Sequence, residues 1–334
     1  MRPFAWLALL LLCACSEKQP AQHTLTGHTM GTQFSVKLTT DNVDTAALTE
    51  ALERSLAEVN DMMSTYQPDS EISRFNSSNT TEWQTVSQEF CLSVEGALAL
   101  SAFTNGSFDI TVGPLVNLWG FGPDGIVLEP PADEDIAAMK GAVGYGHLHA
   151  NCDAPAIRKA IASIALDMSA FGKGYAVDRV AEELEQSGFE NYLVEIGGEL
   201  RFRGKNVKGE NWTIGIEVPK SDQRTPYAVI RLTDAAMATS GDYRNFFEAD
   251  GTLYSHTIDT RTGRPVTHTL ASVTVIDDEA ARADALATAL LVMGPEEGVA
   301  FATAQDVAAL FLLRTPSGID ERSTPAFEQI RQQQ

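Results

Sequence analysis

The chain has 334 residues, of which 24 are Lys or Arg and 45 are Asp or Glu, so its formal net charge is −21. A body this acidic argues against nucleic acid or an anionic lipid surface as a partner. The sequence contains no CxxC pair and no Cys/His cluster, which argues against a structural zinc site. The length is sufficient for a large hydrophobic core in a single compact unit.

The first residues resemble a bacterial lipoprotein signal. One positive charge, Arg2, precedes an apolar stretch at residues 4–13 that is too short to span a membrane. Small residues then lead to Cys15, which is predicted to carry the lipid. We therefore expect a signal peptide at residues 1–14, a lipid-anchored tether at 15–24 and one domain at 25–330. The anchor is expected in a bacterial cell membrane, with the protein facing the periplasm.

Apolar periodicity predicts the elements of the first half. Alternation over residues 32–38 predicts a half-buried strand, and Leu48, Leu52, Leu56 and Val59 predict an amphipathic helix. A second helix is expected at 88–103, and a short one at 134–140 within the irregular, Gly- and Pro-rich region 120–160. Cys91 and Cys152 either form a disulfide or remain two buried thiols, because their spacing does not decide between these alternatives.

The second half alternates between strands and helices. Strands are predicted at 161–166, 192–200, 212–218, 227–232, 254–258, 271–276 and 307–313. A helix is predicted at 174–186, another carries Asp284 and ends near Gly294, and a third begins near Pro295. Strands outnumber helices and are often adjacent in sequence, so the predicted fold class is α+β, with mixed, largely antiparallel sheets and flanking helices.

Asp284 and Thr288 are the first candidates for chemistry. Residues at i and i+4 share one helix face, so both side chains can direct an oxygen at the same point. Oxygen ligands suit Mg²⁺, which binds through one or two carboxylates together with substrate phosphates. The pattern predicts a metal-assisted phosphate site. The structural alternative is a solvated helix face.

Three further segments have weaker chemical signals. Residues 167–175 place Gly172, Lys173 and Gly174 between a predicted strand and a helix, where backbone N–H groups and a cation favour an anion. Residues 120–125 match G-x-G-x-x-G, but no helix follows, so a dinucleotide-binding turn is not predicted. Ser240 with His256 as base would suggest a hydrolase, although no G-x-S-x-G motif surrounds it.

Taken together, seven segments in order resemble the flavin transferases of the ApbE family, the FAD:protein FMN transferases. The resemblance spans about residues 25–325. It depends on the segments at 28–32, 63–66, 108–122, 167–178, 192–200, 255–263 and 283–289. It implies a single T-fold-like flavin-transferase unit. Lipoprotein members are common in that family, in agreement with the N-terminus.

The resemblance implies a reaction in which FMN passes from FAD to a Thr or Ser hydroxyl of a target flavoprotein, with Mg²⁺ bound and AMP released. It places Asp284, Thr288 and the main-chain oxygen of Ala170 around the metal; Ala287 stands where some members have an extra acid. Acceptors would be flavoprotein subunits of membrane redox complexes. The flavin contacts carried over by motif are Met30, Tyr66, Ser107, Phe108, Asp109, Asp167, Lys173 and Ile258.

His256 is the predicted base for the acceptor hydroxyl, because imidazole titrates near neutrality. Alternatively, His256 pairs with Asp259 and braces its loop. Two other functions fit the same motifs. An Mg²⁺-dependent FAD pyrophosphatase would use water in place of the protein hydroxyl, and a lipid-anchored FAD-binding carrier would leave FAD intact.

Overall fold

The structure is a computed structural model that describes residues 20–333 except 128, 220–224, 242–245 and 250–251. The predicted signal peptide and Cys15 lie outside the described residues, as does Asp242, two residues after Ser240. The first strand begins at Ala21. Residues 21–24, which the sequence analysis assigns to the tether, are therefore part of the folded domain.

The described strands follow the chain in the order β1 (Ala21–Thr29), β2 (Thr32–Thr40), β3 (Gln84–Thr85), β4 (Leu148–Asn151), β5 (Ala156–Lys159), β6 (Tyr192–Ile196), β7 (Glu199–Arg203), β8 (Trp212–Glu217), β9 (Pro226–Leu232), β10 (Ala235–Gly241), β11 (Phe246–Ala249), β12 (Thr252–Ser255), β13 (Ile258–Asp259), β14 (Arg264–Pro265), β15 (Leu270–Asp277), β16 (Ala308–Thr315) and β17 (Gly318–Ser323). The helices are α1 (Thr45–Met63), α2 (Glu71–Ser77), α3 (Gln88–Phe103), α4 (Gly113–Leu118), α5 (Asp133–Lys140), α6 (Gly172–Gln186), α7 (Ala280–Ala304) and α8 (Pro325–Gln332), with a 3₁₀ turn at Tyr145–His147.

An eight-stranded sheet forms the centre of the fold, in the order β1-β2-β6-β7-β10-β15-β16-β17. Every neighbouring pair in it is antiparallel. Smaller sheets pair β3, β5 and β4, β8 with β9, β11 with β12, and β13 with β14. The α+β class with largely antiparallel sheets and flanking helices is therefore confirmed.

The two faces of the central sheet bury different layers, because successive side chains in a strand point to opposite faces. On one face, Val194, Ala236 and Val275 pack among residues of α6 and α7. On the other face, Leu193, Met237 and Leu312 pack against the β8–β9 hairpin and α8. Lys173, Asp178, Asp284 and Thr288, which are discussed below, lie on α6 and α7.

The predicted helices follow their local signals. The Asp44 carboxylate accepts hydrogen bonds from the backbone N–H groups of Ala46 and Ala47 at the start of α1, as an N-cap should. Ser87 caps α3 by accepting from Phe90 N at 3.1 Å, so that helix begins where the sequence predicts. The break predicted near Gly294 is present as a kink within α7, where Gly294 adopts φ 78° and Pro295 follows.

Three strand predictions need correction. Residues 161–166 do not form a strand; Ala165 makes only an isolated bridge to Val112. The strand predicted at 192–200 is a hairpin, because Gly197 and Gly198 have φ of 64° and 114° and reverse the chain between β6 and β7. The strand predicted at 254–258 is interrupted between β12 and β13, at His256 and Thr257.

Cys91 and Cys152 form a disulfide, which settles the alternative that the sequence left open. The bond joins α3 to the segment that follows β4. It closes a loop across a sequence separation of 61 residues. Such a link stabilises the fold mainly by restricting the unfolded chain, by about 2–4 kcal/mol for a typical disulfide.

One described helix, Ala280–Ala304, is long and apolar enough to cross a membrane, but 67% of its most apolar stretch is buried inside the protein. Its buried residues form the centre of a hydrophobic cluster with the central sheet. We therefore interpret α7 as a core helix.

Candidate active site

Asp284 lies in the first part of α7 and is almost completely buried, with 3% of its surface exposed. Its Oδ2 accepts a hydrogen bond from the backbone N–H of Gly174 at 3.2 Å. One turn further along α7, the Thr288 hydroxyl forms a 2.8 Å hydrogen bond with the hydroxyl of Ser240 on β10. Both predicted metal ligands are therefore held in place by other elements.

A close approach of α6 to α7 makes the Gly174 contact possible. A Cβ on Gly174 would lie 2.3 Å from the carbonyl oxygen of Ala280, so no larger residue fits. One turn later in α6, the Asp178 carboxylate accepts hydrogen bonds from the backbone N–H groups of Ala280 and Ala281 at 3.0 and 2.8 Å. It thereby caps α7, where a negative charge also complements the helix dipole.

Ala170 lies two residues before α6, at the point where the chain enters that helix. It precedes the N-cap residue Phe171, so its carbonyl is not part of the hydrogen-bond ladder of the helix. The N–H of Gly174, in the first turn of α6, has no acceptor within the helix and donates to Asp284.

Lys173 joins two acidic residues at this site. Its Nζ lies 3.1 Å from Oε1 of Glu199 and 3.6 Å from Oδ2 of Asp284. Burial alone would lower the pKa of Lys173, but the two carboxylates together raise it above its ordinary value. Lys173 is therefore a fixed positive charge.

Glu199 is a site residue that the sequence analysis did not single out, although it lies within the quoted segment 192–200. It is 4% exposed, and burial raises its pKa, while Lys173 opposes this rise. The sequence signal that could have identified Glu199 is an acidic residue directly after the Gly197–Gly198 pair. A hairpin turn at these glycines places Glu199 at the first position of the returning strand, beside the neighbouring loops.

The loop that leads to Ala170 is fixed by hydrogen bonds to both the N–H and the carbonyl of Leu166. The Asn76 side chain accepts from Leu166 N at 2.7 Å and donates to Leu166 O at 2.8 Å. The fully buried Lys159 ammonium donates to the carbonyls of Phe75, Asn76 and Ile164. These bonds fix the chain immediately before Asp167, whose carboxylate accepts from Ser169 N at 2.7 Å.

Tyr66, Phe121 and His256 form a second group. The Tyr66 side chain is 68% exposed, and its hydroxyl donates to the carbonyl of Phe121 at 3.3 Å. The Phe121 ring meets the His256 ring edge to face, with 6.3 Å between centroids. The Asp259 carboxylate, the alternative partner considered for His256, accepts hydrogen bonds from the backbone N–H and side chain of Arg261. An exposed aromatic ring thus lies near a half-buried imidazole.

The segment of Ser107, Phe108 and Asp109 is buried. Both carboxylate oxygens of Asp109 are engaged: Oδ1 accepts from the Thr111 N–H and hydroxyl, and Oδ2 from Tyr145 N. Burial raises the pKa of Asp109, and these hydrogen bonds oppose the rise. The side chain therefore shapes the turn that presents the other two residues.

Ile258 and Met30 lie on separate hairpins. Ile258, in β13, is buried with Leu115 and Trp119. Met30 lies at the tip of the β1–β2 hairpin with φ 49° and packs against the main core. After that tip comes Thr32, whose methyl group would lie 3.0 Å from a Cβ on Gly197. The β1–β2 hairpin is therefore placed beside the β6–β7 turn.

The donor set consists of oxygen atoms, which suit a hard divalent cation. The described residues contain no group of three or more His, Cys, Asp or Glu side chains suited to a metal. Mg²⁺ does not need one, because it keeps several waters and takes one or two carboxylates plus substrate phosphates. The buried Asp284 carboxylate, the Thr288 hydroxyl and the Ala170 carbonyl are oxygen ligands of the required kind. The residues present fit the group.

Comparison with known proteins shows the family of this chain. The ApbE family model matches residues 30–311. The chain belongs to the ApbE family. A relative from Vibrio cholerae named FAD:protein FMN transferase is 45% identical over 324 residues, covering 96% of each chain. A relative of the same name from Escherichia coli K12 is 37% identical, covering 96% of this chain and 94% of the relative.

Solved structures of the family are similar to this fold over almost their whole length. The flavin transferase ApbE from Vibrio cholerae aligns with a TM-score of 0.86 at 43% identity, covering 93% of this chain and 99% of that one. The apo form of the flavinyl transferase ApbE from Pseudomonas stutzeri also gives 0.86, at 39% identity, covering 94% and 98%. The resemblance stated from the seven sequence segments is thereby confirmed.

Proposed function

We propose that this protein transfers FMN from FAD to a Thr or Ser hydroxyl of a target flavoprotein, with Mg²⁺ bound, and releases AMP. The observation that carries the proposal is the buried Asp284 carboxylate, held by Gly174 N–H beside the fixed charge of Lys173. The protein belongs to a family in which its curated relatives are named FAD:protein FMN transferase.

In the proposed reaction the acceptor oxygen bonds to the phosphorus of the FMN moiety. The bond from that phosphorus to the bridging oxygen of the pyrophosphate breaks, and AMP leaves with the electron pair. The acceptor's proton passes to His256. Transfer of this kind depends mainly on positioning and on charge stabilisation.

The residues of the site have different proposed roles, which follow from the chemistry of their side chains. Asp284, Thr288 and the Ala170 carbonyl would hold Mg²⁺, which when bound neutralises charge on the pyrophosphate oxygens. Lys173 would add a cation at the N-terminus of α6, where a phosphate is also favoured by the helix dipole. Tyr66 would offer its exposed ring to a flat ligand, as aromatic side chains do.

We further propose that Cys15 carries a lipid anchor and that the domain faces the periplasm. Two features support this: the lipoprotein-like sequence before Cys15 and the disulfide between Cys91 and Cys152. Disulfides persist in oxidising compartments such as the periplasm. The acceptors would be flavoprotein subunits of membrane redox complexes that expose a Thr or Ser on the same side.

The test is incubation of the protein with FAD, Mg²⁺ and a candidate acceptor, followed by in-gel flavin fluorescence and mass measurement of the acceptor. We expect one added FMN per acceptor, and no labelling with Asp284→Asn. The matched control is Asp278→Asn, which removes an exposed carboxylate just before α7 and should label normally.

The same assay separates the alternatives. Free FMN and AMP without a labelled acceptor would identify a pyrophosphatase. FAD that stays intact with Mg²⁺ and acceptor present would identify a carrier.

A further inference from the structure

Glu199 has one oxygen in use and one without a partner. Its Oε1 contacts Lys173 Nζ at 3.1 Å. Its Oε2 is buried and has no hydrogen-bond partner among the residues that the structure describes. Leaving a charged acceptor buried and unsatisfied is unfavourable, because the desolvation penalty is not recovered. Such an atom in a folded protein needs a physical explanation, and a partner outside the chain is one.

The β6–β7 turn packs beside Oε2. A Cβ on Gly197 would lie 3.5 Å from this oxygen, 3.4 Å from Cδ of Lys173 and 3.0 Å from Cγ2 of Thr32. Because residue 197 is glycine, no side chain fills that position. The unpaired oxygen therefore borders the turn, and the turn adjoins the lysine that also contacts Asp284.

We infer that Glu199 is a positioning residue of the cation site, in which Oε1 holds Lys173 and Oε2 accepts a hydrogen bond from a water of the cation's hydration shell. The inference rests on the proposed function, since it requires a cation at Asp284. Mg²⁺ retains several of its waters when bound to protein, and each water needs an acceptor. Outer partners of this kind commonly set metal affinity.

A simpler role for Glu199 is to act only through Lys173, by drawing the ammonium away from Asp284. The two roles differ in what happens when Lys173 loses its charge. If Glu199 acts only through Lys173, neutralising Glu199 has no effect once Lys173 is replaced by Met. If Oε2 serves the hydration shell, the effect remains in that background.

The experiment measures Mn²⁺ binding to the intact domain by electron paramagnetic resonance of the free ion, without FAD. Mn²⁺ is a suitable probe because it takes the same oxygen ligands as Mg²⁺. We expect Glu199→Gln to weaken Mn²⁺ binding about 10- to 100-fold, the usual loss for an outer-shell partner. The matched control, Glu195→Gln, changes a half-buried acid four residues earlier in the same hairpin and should bind as the wild type does.

The double variant Lys173→Met with Glu199→Gln is then compared with Lys173→Met alone. It also guards against misfolding, because it leaves no unpaired ammonium next to Asp284. A loss of about tenfold or more between these two proteins supports the inference, and equal affinities overturn it. Wild-type protein that binds no Mn²⁺, either alone or with FAD added, would reject the proposed metal site as well, whereas wild-type binding with an unchanged Glu199→Gln affinity rejects only the role of Glu199.

Discussion

The backbone N–H of Gly174 donates to the carboxylate of Asp284 across the contact between α6 and α7, at 3.2 Å. The two residues are 110 positions apart in the sequence. The contact orients the carboxylate, and it gives an acceptor to a first-turn N–H that has none within α6. One hydrogen bond therefore satisfies the start of α6 and positions a predicted metal ligand.

Gly174→Ala should disrupt this contact. Its Cβ would lie 2.3 Å from the Ala280 carbonyl oxygen, so the helices must separate. We expect a loss of about 3 kcal/mol in the free energy of unfolding, the upper range for overpacking, and little remaining flavin transfer. Urea denaturation measures the first quantity.

The control is Gly172→Ala in the first turn of the same helix. There the nearest atom to a new Cβ is Met63 Sδ at 4.0 Å, so the change should alter stability by about 1 kcal/mol or less. Equal losses for the two variants would contradict the steric explanation.

His256→Ala should lower the rate of flavin transfer about 100-fold or more, as expected for removal of a general base, while FAD affinity changes little. Single-turnover transfer and equilibrium FAD binding measure the two quantities separately. If both fall by the same factor, His256 braces its loop and does not act as the base.

Ser240→Ala should weaken divalent-cation binding about tenfold, because a metal-bound hydroxyl must donate its proton and Ser240 Oγ lies 2.8 Å from Thr288 Oγ1. Thr239→Val is a matched control. It removes the neighbouring hydroxyl pair, in which Thr239 bonds Thr274 at 2.8 Å, and should leave cation affinity unchanged. Titration with Mn²⁺ checks both variants, and a similar loss in each would remove Ser240 from the site.

The burial of Lys159 leads to a specific prediction for how stability depends on pH. Burial lowers its pKa below the ordinary 10.5, so between the folded-state and unfolded-state pKa values the unfolded chain binds more protons. Stability from this residue should therefore rise as the pH increases through the folded-state pKa toward 10.5. Denaturation of wild type and Lys159→Met across this range isolates the effect. A difference in stability that falls with rising pH would have the wrong sign.

The sequence predicted elements well where local pattern decides them. The helix at Gln88–Phe103 and the strand beginning at Thr32 follow from capping and alternation. The prediction of a strand at 161–166 was wrong. The backbone of Leu166 is hydrogen-bonded by the Asn76 side chain, 90 residues away, and not by a neighbouring strand. No local pattern reveals such a partner.

In the candidate site, too, residues related by local spacing could be predicted, whereas contacts between separate elements could not. Asp284 and Thr288 share one helix, so their spacing could be interpreted directly. Glu199, Ser240 and Asp178 act through contacts between elements, with Lys173, Thr288 and Ala281 respectively. These pairings depend on how β7 meets α6 and on how β10 and α6 meet α7, which the sequence pattern does not specify.

The buried cluster of Asp284, Glu199 and Lys173 has two acids and one base, so a further positive charge is needed for neutrality when both acids are ionised. A cation that binds only the native chain shifts the folding equilibrium by mass action. If Mg²⁺ binds here as proposed, the melting temperature should rise with magnesium concentration even without any flavin. The thermal stability of the protein would then depend on the magnesium concentration around it.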